Sequence, residues 1–366
     1  MVELRAKFDH ERFRWLDQAR GVVGLLFIVS GITWFTNGSL VMGESNLGPT
    51  YLDHGYNYYQ GIPPMITIID VGQSIFLFMV GLSGYIAFSS RLQQGGAIMA
   101  WRYAVQRVGV LYVLATVYEY VSIASSKGSF AYAVVMEEFS WWDLLVTDVI
   151  GILAVGAAAT YLFIFLIRNG QLRAWTGIGL YGVHAFVLAL YLVDRNTMPG
   201  NALELPDWPM QTIGLALVSI LGSCFGQWIV EGQADLRQVM KVRVVPVACY
   251  CLMASYCMEW LEPSDHHVVN ITLGLLAAGL TGLLIAVMYA LYEIGIELFV
   301  LGALGRNLLL VFILCDFFME YYFSVLPEAS LVKYPFMAMV FLGMLPLVVV
   351  VFIARYLDTR NIMFRI

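Results

Sequence analysis

His54 and Asp70 stand sixteen residues apart, where a polar stretch gives way to a long apolar one. Histidine titrates near neutral pH, and a carboxylate beside it can fix its tautomer. Such a pair can remove a proton from an amine or hydroxyl, or relay a group covalently through the imidazole. Spacing leaves open whether the two side chains touch, and which of the two routes operates. Other ionisable or strongly polar residues also enter apolar stretches: Glu119, Asp148, Glu259, Asp316, His266 and His267 toward one end, and Asp17, Arg20, Arg102, Arg107, Glu293, Arg306 and the amide Asn307 toward the other. Charge at membrane depth is costly, so each is a functional candidate, against the plainer role of a paired or snorkelled charge at a helix end. Asp17 and Arg20 have the spacing of a local ion pair. Arg102 and Arg107 read either as interfacial anchors or as a seat for an anionic cofactor, because a guanidinium fork binds phosphate bidentately. His184 lies mid-stretch with no second histidine at its depth, so a packed, hydrogen-bonded role is expected and neither metal nor haem.

The elements that must position these groups are apolar helices. A hydrocarbon core about 30 Å thick takes roughly 20 residues of helix. Ten stretches meet that length, near 18–36, 65–90, 98–124, 144–168, 173–193, 209–231, 241–260, 268–292, 297–320 and 333–356. With ten crossings, all of the 20 Lys and Arg except Lys127, Arg195 and Lys333 fall on one side. By the positive-inside rule that side is cytoplasmic and holds both termini. Acidic residues from Glu44 and Asp53 to Glu328 favour the opposite face. The expected fold is therefore all-α and polytopic, one transmembrane domain over 1–366, with an external loop at 37–64.

Composition agrees, since 60% of residues are hydrophobic and only 13% charged, against about 25% charged in soluble domains. The charged stretch before the first span argues against a cleavable leader. The 5 cysteines, Cys224, Cys249, Cys251, Cys257 and Cys315, all fall in apolar stretches without C-x-x-C spacing and read as packing residues. A net charge of −6, split basic inside and acidic outside, gives no reason to expect nucleic acid as a partner. The bilayer is the expected partner, in a multi-pass protein of a bacterial inner membrane.

Three stretches together resemble a known family. Arg14-Trp15-Leu16-Asp17-Gln18-Ala19-Arg20-Gly21 opens the first span. Leu52-Asp53-His54 is followed by Asp70 and by Phe76-Leu77-Phe78-Met79-Val80-Gly81-Leu82-Ser83. Leu304-Gly305-Arg306-Asn307 is followed by the tail from Arg355-Tyr356 to Phe364-Arg365-Ile366. In order and spacing they are similar to the heparan-alpha-glucosaminide N-acetyltransferase-like membrane acyltransferases. The resemblance implies transfer of an acyl group, acetyl in the family's usual case, from cytoplasmic acyl-CoA to an extracytoplasmic sugar or glycolipid. It implies His54 as catalytic centre with Asp70 as its partner. Arg20, Arg102, Arg107, Arg306 and Asn307 are the candidate contacts to the donor.

The chain departs from the family pattern at Gly55–Gln60, at Thr147-Asp148 and at His266-His267, all toward the acceptor side. Two further classes therefore stay open. One is a catalytically inactive relative serving as a structural subunit of a membrane complex, or as a homo-oligomer. The other is a secondary transporter, whose mark would be inverted repeats with Gly or Pro interruptions at matching positions; Pro209, Pro246, Pro335 and Pro346 are not so placed.

Overall fold

A computed structural model describes residues 13–38, 68–126, 149–197, 207–262, 264, 269–315 and 344–360. Among them all regular structure is helical. In chain order the helices are α1 (Arg14–Gly38), α2 (Ile68–Ser126), α3 (Val149–Leu166), α4 (Gly170–Thr197), α5 (Asp207–Glu231), α6 (Leu236–Val239), α7 (Val245–Met258), α8 (Ile271–Glu293), α9 (Phe299–Arg306) and α10 (Met344–Thr359). Among the described residues four segments are long and apolar enough to cross a membrane: Val71–Ala124, Gln211–Glu231, Gln233–Met258 and Ile271–Glu293. The surface is apolar where a soluble protein's would be polar. Val105, Val113, Val117, Phe186, Tyr250, Met253 and Phe352 are exposed while Arg173, Asn307, Thr281 and Ser219 are fully buried.

The 54 residues of Val71–Ala124 would make a straight rod about 80 Å long, far more than one crossing needs. Gly96 divides it, with φ 72° and ψ −168°, a conformation essentially confined to glycine. The break falls between the stretches 65–90 and 98–124. The stretch at 297–320 is interrupted as well. Helix α9 ends at Arg306, Asn307 leaves helical geometry at φ −118° and ψ 30°, and helix resumes over 308–315. The Asn307 side-chain amide donates to the Ala303 carbonyl at 3.3 Å, the local competition with backbone bonding that makes asparagine a poor helix-interior residue.

Between α6 and α7 the chain makes a π turn, Met240–Val244. Pro246 has no N–H and its ring crowds the carbonyl four residues back, so the register shifts and Val245 N–H donates to Met240 O. Asparagine caps begin two helices: Asn169 Oδ1 accepts from Gln171 N at 2.9 Å and Leu172 N at 3.0 Å, and Asn270 Oδ1 accepts from Leu273 N at 3.1 Å.

The chain divides into two compact units, Met1–Asp53 with Leu284–Arg365, and His54–Leu283 with Ile366. In the first, α1 packs on α9 and α9 on α10, around Ile28, Leu304, Val311, Val350 and Ala354. In the second, α2 packs on α3 and α5, and α5 also packs on α3 and α4. Lipid offers little hydrophobic drive for helix association, so close backbone approach and interhelical hydrogen bonds carry it. A Cβ at Gly81 would run into the Ser219 carbonyl, and one at Gly222 into the Phe78 carbonyl, so α2 and α5 meet backbone to backbone. The Ser219 hydroxyl lies 2.8 Å from Thr160 Oγ1 and 2.9 Å from the Gly156 carbonyl, joining α5 to α3. Tyr181 Oη donates to Gly214 O at 2.8 Å, joining α4 to α5.

The turn from α7 to α8 is tied by Glu259, which accepts from Ser264 N at 3.0 Å and Ser264 Oγ at 2.6 Å, and by Thr272 Oγ1 donating to Glu262 O at 2.7 Å. Burial pushes the Glu262 carboxyl above its ordinary 4.5, and a hydrogen bond from Asn270 pulls it partly back. The folded state thus binds this proton more tightly than the unfolded chain does. Stability from Glu262 is present below about 4.5 and is lost as pH rises through the higher folded value. Glu262→Gln is expected to flatten the fall in thermal midpoint as pH rises above about 4.5. An unchanged pH profile in that variant would show that Glu262 does not contribute.

Candidate functional site

In the first unit, the first and third of the sequence stretches singled out above interlock. Trp15, Leu16, Asp17, Gln18 and Ala19 are buried, with Trp15 edge-on to Tyr289 at 5.6 Å. A Cβ on Gly21 would strike the Leu301 carbonyl, and one on Gly305 would strike the Asp17 carbonyl and the Gly21 nitrogen. The contact is reciprocal: each helix offers a glycine to the other's backbone, so α1 and α9 cross at the Asp17 and Gly305 positions.

The charges on these two helices have local partners. Arg20 Nη1 lies 3.8 Å from Asp17 Oδ1. Arg306 is hydrogen-bonded to the Asp358 carboxylate and so ties α9 to α10. Arg14 Nη1 meets Glu297 Oε1 at 3.0 Å on the exposed rim. Asn307 is fully buried. Arg20, Arg306 and Asn307 therefore have structural work in this unit, whatever else they touch. The Arg306 and Asp358 side chains are only 21% and 12% exposed, so removing one partner strands the other. Arg306→Gln and Asp358→Asn are each expected to cost about 1–3 kcal/mol, and the double variant less than the sum, in a double-mutant cycle read by thermal unfolding. Additive losses would mean that the two groups are not coupled.

The second unit holds Arg102 and Arg107, on the arm of α2 that follows Gly96. Arg102 is exposed in a shallow surface hollow of about 770 Å³ beside Ala97, Ile98, Trp101, Val105 and Gln106. Arg107 turns toward the helices, and its Nη1 donates to Tyr103 Oη at 2.9 Å. The two guanidiniums expected to act together thus have different surroundings. The Arg91 guanidinium lies 3.6 Å over the Tyr103 ring while its Nη1 donates to Ala87 O at 2.9 Å. Tyr161, from α3, is 1% exposed, stacks on Phe88 at 5.3 Å and stands edge-on to Tyr103 at 6.1 Å.

Deeper in the same unit, Arg173 is fully buried, although its place in the sequence reads as a charge flanking a span. Its Nε donates to Ser223 Oγ at 2.8 Å, Nη1 to Ile167 O at 2.8 Å, and Nη2 to Gln227 Oε1 at 2.8 Å and Ser223 O at 3.2 Å. Its guanidinium carbon also lies 5.1 Å from the Tyr85 ring centre. Gln227 Nε2 passes the chain on to Glu231 Oε1 at 2.6 Å, and Glu231 Oε2 is 3.9 Å from Arg243. A sequence signal for this cage does exist: Ser219, Ser223, Gln227 and Glu231 recur every four residues along an apolar helix, one polar stripe on α5.

His184 is buried in α4 with its ring edge-on to Tyr181 at 6.2 Å. The cysteines are free: Cys224 and Cys251 buried, Cys315 part-buried, and Cys249 and Cys257 exposed. Among the described residues no three His, Cys, Asp or Glu side chains group to hold a metal. Asp70 lies in the first turn of α2, and its side chain is outside what is described. His54, Asp148, His266, His267 and Asp316 lie outside the described residues. Compared with known proteins, the chain matches no protein-family model and no curated sequence.

Proposed function

We propose that the chain is a multi-pass membrane acyltransferase, taking an acyl group, acetyl in the first instance, from cytoplasmic acyl-CoA to a sugar or glycolipid across the membrane. Ten helices cross a bacterial inner membrane, with both termini cytoplasmic. His54 accepts the proton of the acceptor amine or hydroxyl as its nitrogen or oxygen bonds to the thioester carbonyl carbon; the C–S bond breaks and CoA leaves as the thiol. In the relay variant the imidazole nitrogen carries the acyl group between the two bond exchanges. Asp70 orients the imidazole, and Arg102 and Arg107 meet the donor's phosphates. Arg20, Arg306 and Asn307 serve the donor side by holding α1, α9 and α10 in place.

The observation that carries this reading is the interlock of two stretches almost three hundred residues apart in the chain. Leu16-Asp17-Gln18-Ala19-Arg20-Gly21 and Leu304-Gly305-Arg306-Asn307 are the first and third parts of the resemblance, and they pack against each other through Gly21 and Gly305. Motifs that met only by chance in the sequence would have no reason to share one helix crossing.

The test is free CoA release from acetyl-CoA by the purified protein, with amino sugars as trial acceptors. His54→Ala is expected to lower the rate by about a hundredfold or more, the usual worth of a general base or nucleophile. Failure of the folded protein to bind any of several acyl-CoAs would sink the enzymatic reading and favour a structural subunit.

A further inference from the structure

We propose that Arg91, Tyr103, Arg107 and Tyr161 form a seat for a phosphate monoester in the second unit, on the two arms of α2 and the facing side of α3. The two guanidiniums share one aromatic ring. Arg91 lies 3.6 Å over the face of Tyr103, and Arg107 takes that residue's hydroxyl at 2.9 Å. Among the described residues neither arginine has an ion-pair partner. Two like charges held on one ring in apolar surroundings repel each other and lose hydration, a cost usually offset by an anion.

A further group awaits a partner. Arg107 Nε is buried and lacks a hydrogen bond among the described residues, and a buried polar group left unpaired is costly. Arg107 donates to Tyr103 through Nη1, which leaves the Nε side of the guanidinium plane, an edge that can grip an oxyanion bidentately. Tyr161 stands close enough to Tyr103 and Arg107 to interact with both. At 1% exposure it forms the floor, while Arg91, Tyr103 and Arg107 are only part-buried and form the open edge. The seat thus offers two cations and a buried hydroxyl donor to one small anion entering from the rim. A phosphate monoester, with up to two negative charges and three terminal oxygens, matches that inventory.

Two molecules carry this group, a nucleotide with a terminal phosphate, such as CoA, and a lipid with a phosphatidate headgroup. Assignment to the nucleotide rests on the acyl-transfer reading; phosphate binding itself does not. Lys241 is the internal control, because it is an exposed cation of the same unit, on the π turn, and is not part of the cluster.

The experiment is calorimetric titration of the folded protein in nonionic detergent with adenosine 3′,5′-bisphosphate and, separately, with dihexanoyl phosphatidic acid. Arg91→Gln and Arg107→Gln are expected to weaken binding at least about tenfold, and Tyr161→Phe a few-fold with its ring stack kept. Lys241→Gln is expected to stay within about twofold of wild type. If Arg107→Gln does not fold, Arg91→Gln and Tyr161→Phe decide. Bisphosphate binding with this dependence supports the seat and its assignment to a nucleotide. Phosphatidate binding alone, with the same dependence, supports the seat and removes that assignment. No binding of either probe, or binding indifferent to Arg91 and Arg107, overturns the proposal. CoA release is scored separately: binding without turnover counts against acyl transfer and leaves the seat standing, whereas turnover with binding of neither probe removes the seat alone.

Discussion

Gly305→Ala is expected to unfold the first unit or cost it several kcal/mol, whereas Gly302→Ala, three residues earlier on α9, is expected to be neutral or stabilising. The two glycines share a helix and differ in what an added methyl would meet. At Gly305 it runs into the Asp17 carbonyl and the Gly21 nitrogen, which are backbone and cannot rotate away. Relief requires α1 and α9 to separate, which loosens the packing around Leu304 and Ile28 and pulls on the Arg306–Asp358 contact. At Gly302 nothing lies within 4 Å of the new atom, and alanine's helix propensity favours it by about 1 kcal/mol. The second unit has the same contrast. Gly222→Ala meets the Phe78 carbonyl, and Gly109→Ala meets nothing within 4 Å. Thermal unfolding of the four variants in one detergent is the check. Equal midpoints for Gly305→Ala and Gly302→Ala would mean that α1 and α9 do not cross at these glycines.

Arg173→Met carries the second large expected effect, a loss of about 3 kcal/mol or more in the second unit. The arginine is fully buried and makes four hydrogen bonds, to two side chains and two backbone carbonyls. Methionine fills much of the volume and donates none of them. Ile167 O, Ser223 O and Gln227 Oε1 then lose a donor, and Glu231 loses the cation that faces it through Gln227. Arg173→Lys is expected to recover less than half of the loss, since one ammonium cannot span the positions that the guanidinium plane reaches. Chemical unfolding of the purified variants measures the difference. Should Arg173→Met prove as stable as wild type, the cost of burying the guanidinium would equal what its hydrogen bonds return, as happens in some proteins whose buried charges are replaced by apolar residues.

Where the helices lie was legible in the residues themselves. The stretches expected at 18–36, 209–231 and 268–292 correspond to Arg14–Gly38, Asp207–Glu231 and Ile271–Glu293. Gly96 falls in the gap between two expected spans and is the point at which α2 breaks. The interruption at Asn307 was not anticipated, because a span is recognised from averaged apolarity, and one polar residue hardly changes that average. Arg173 and Arg107 show the limit from the other side. Both are basic residues near the ends of apolar stretches, where the expected role is a charge held at the interface, yet one is fully buried and the other turns to Tyr103. Only the four-residue recurrence of Ser219, Ser223, Gln227 and Glu231 hinted that α5 offered a polar face to receive a charge.

By itself, then, the sequence determined helices, some of them long and apolar enough to cross a membrane, and a boundary between the stretches at 65–90 and 98–124, which the structure places at Gly96. These properties follow from length, apolarity and backbone preference, which act within about twenty residues of chain. Tertiary structure alone decided which charges turn inward and which glycines become crossing points. It joined Asp17 to Gly305, Arg306 to Asp358, and Arg173 to Ser223 and Gln227. The physical reason is that a buried guanidinium or a bare backbone surface is tolerable only where another helix supplies acceptors or a matching groove, and that helix lies far away in the chain.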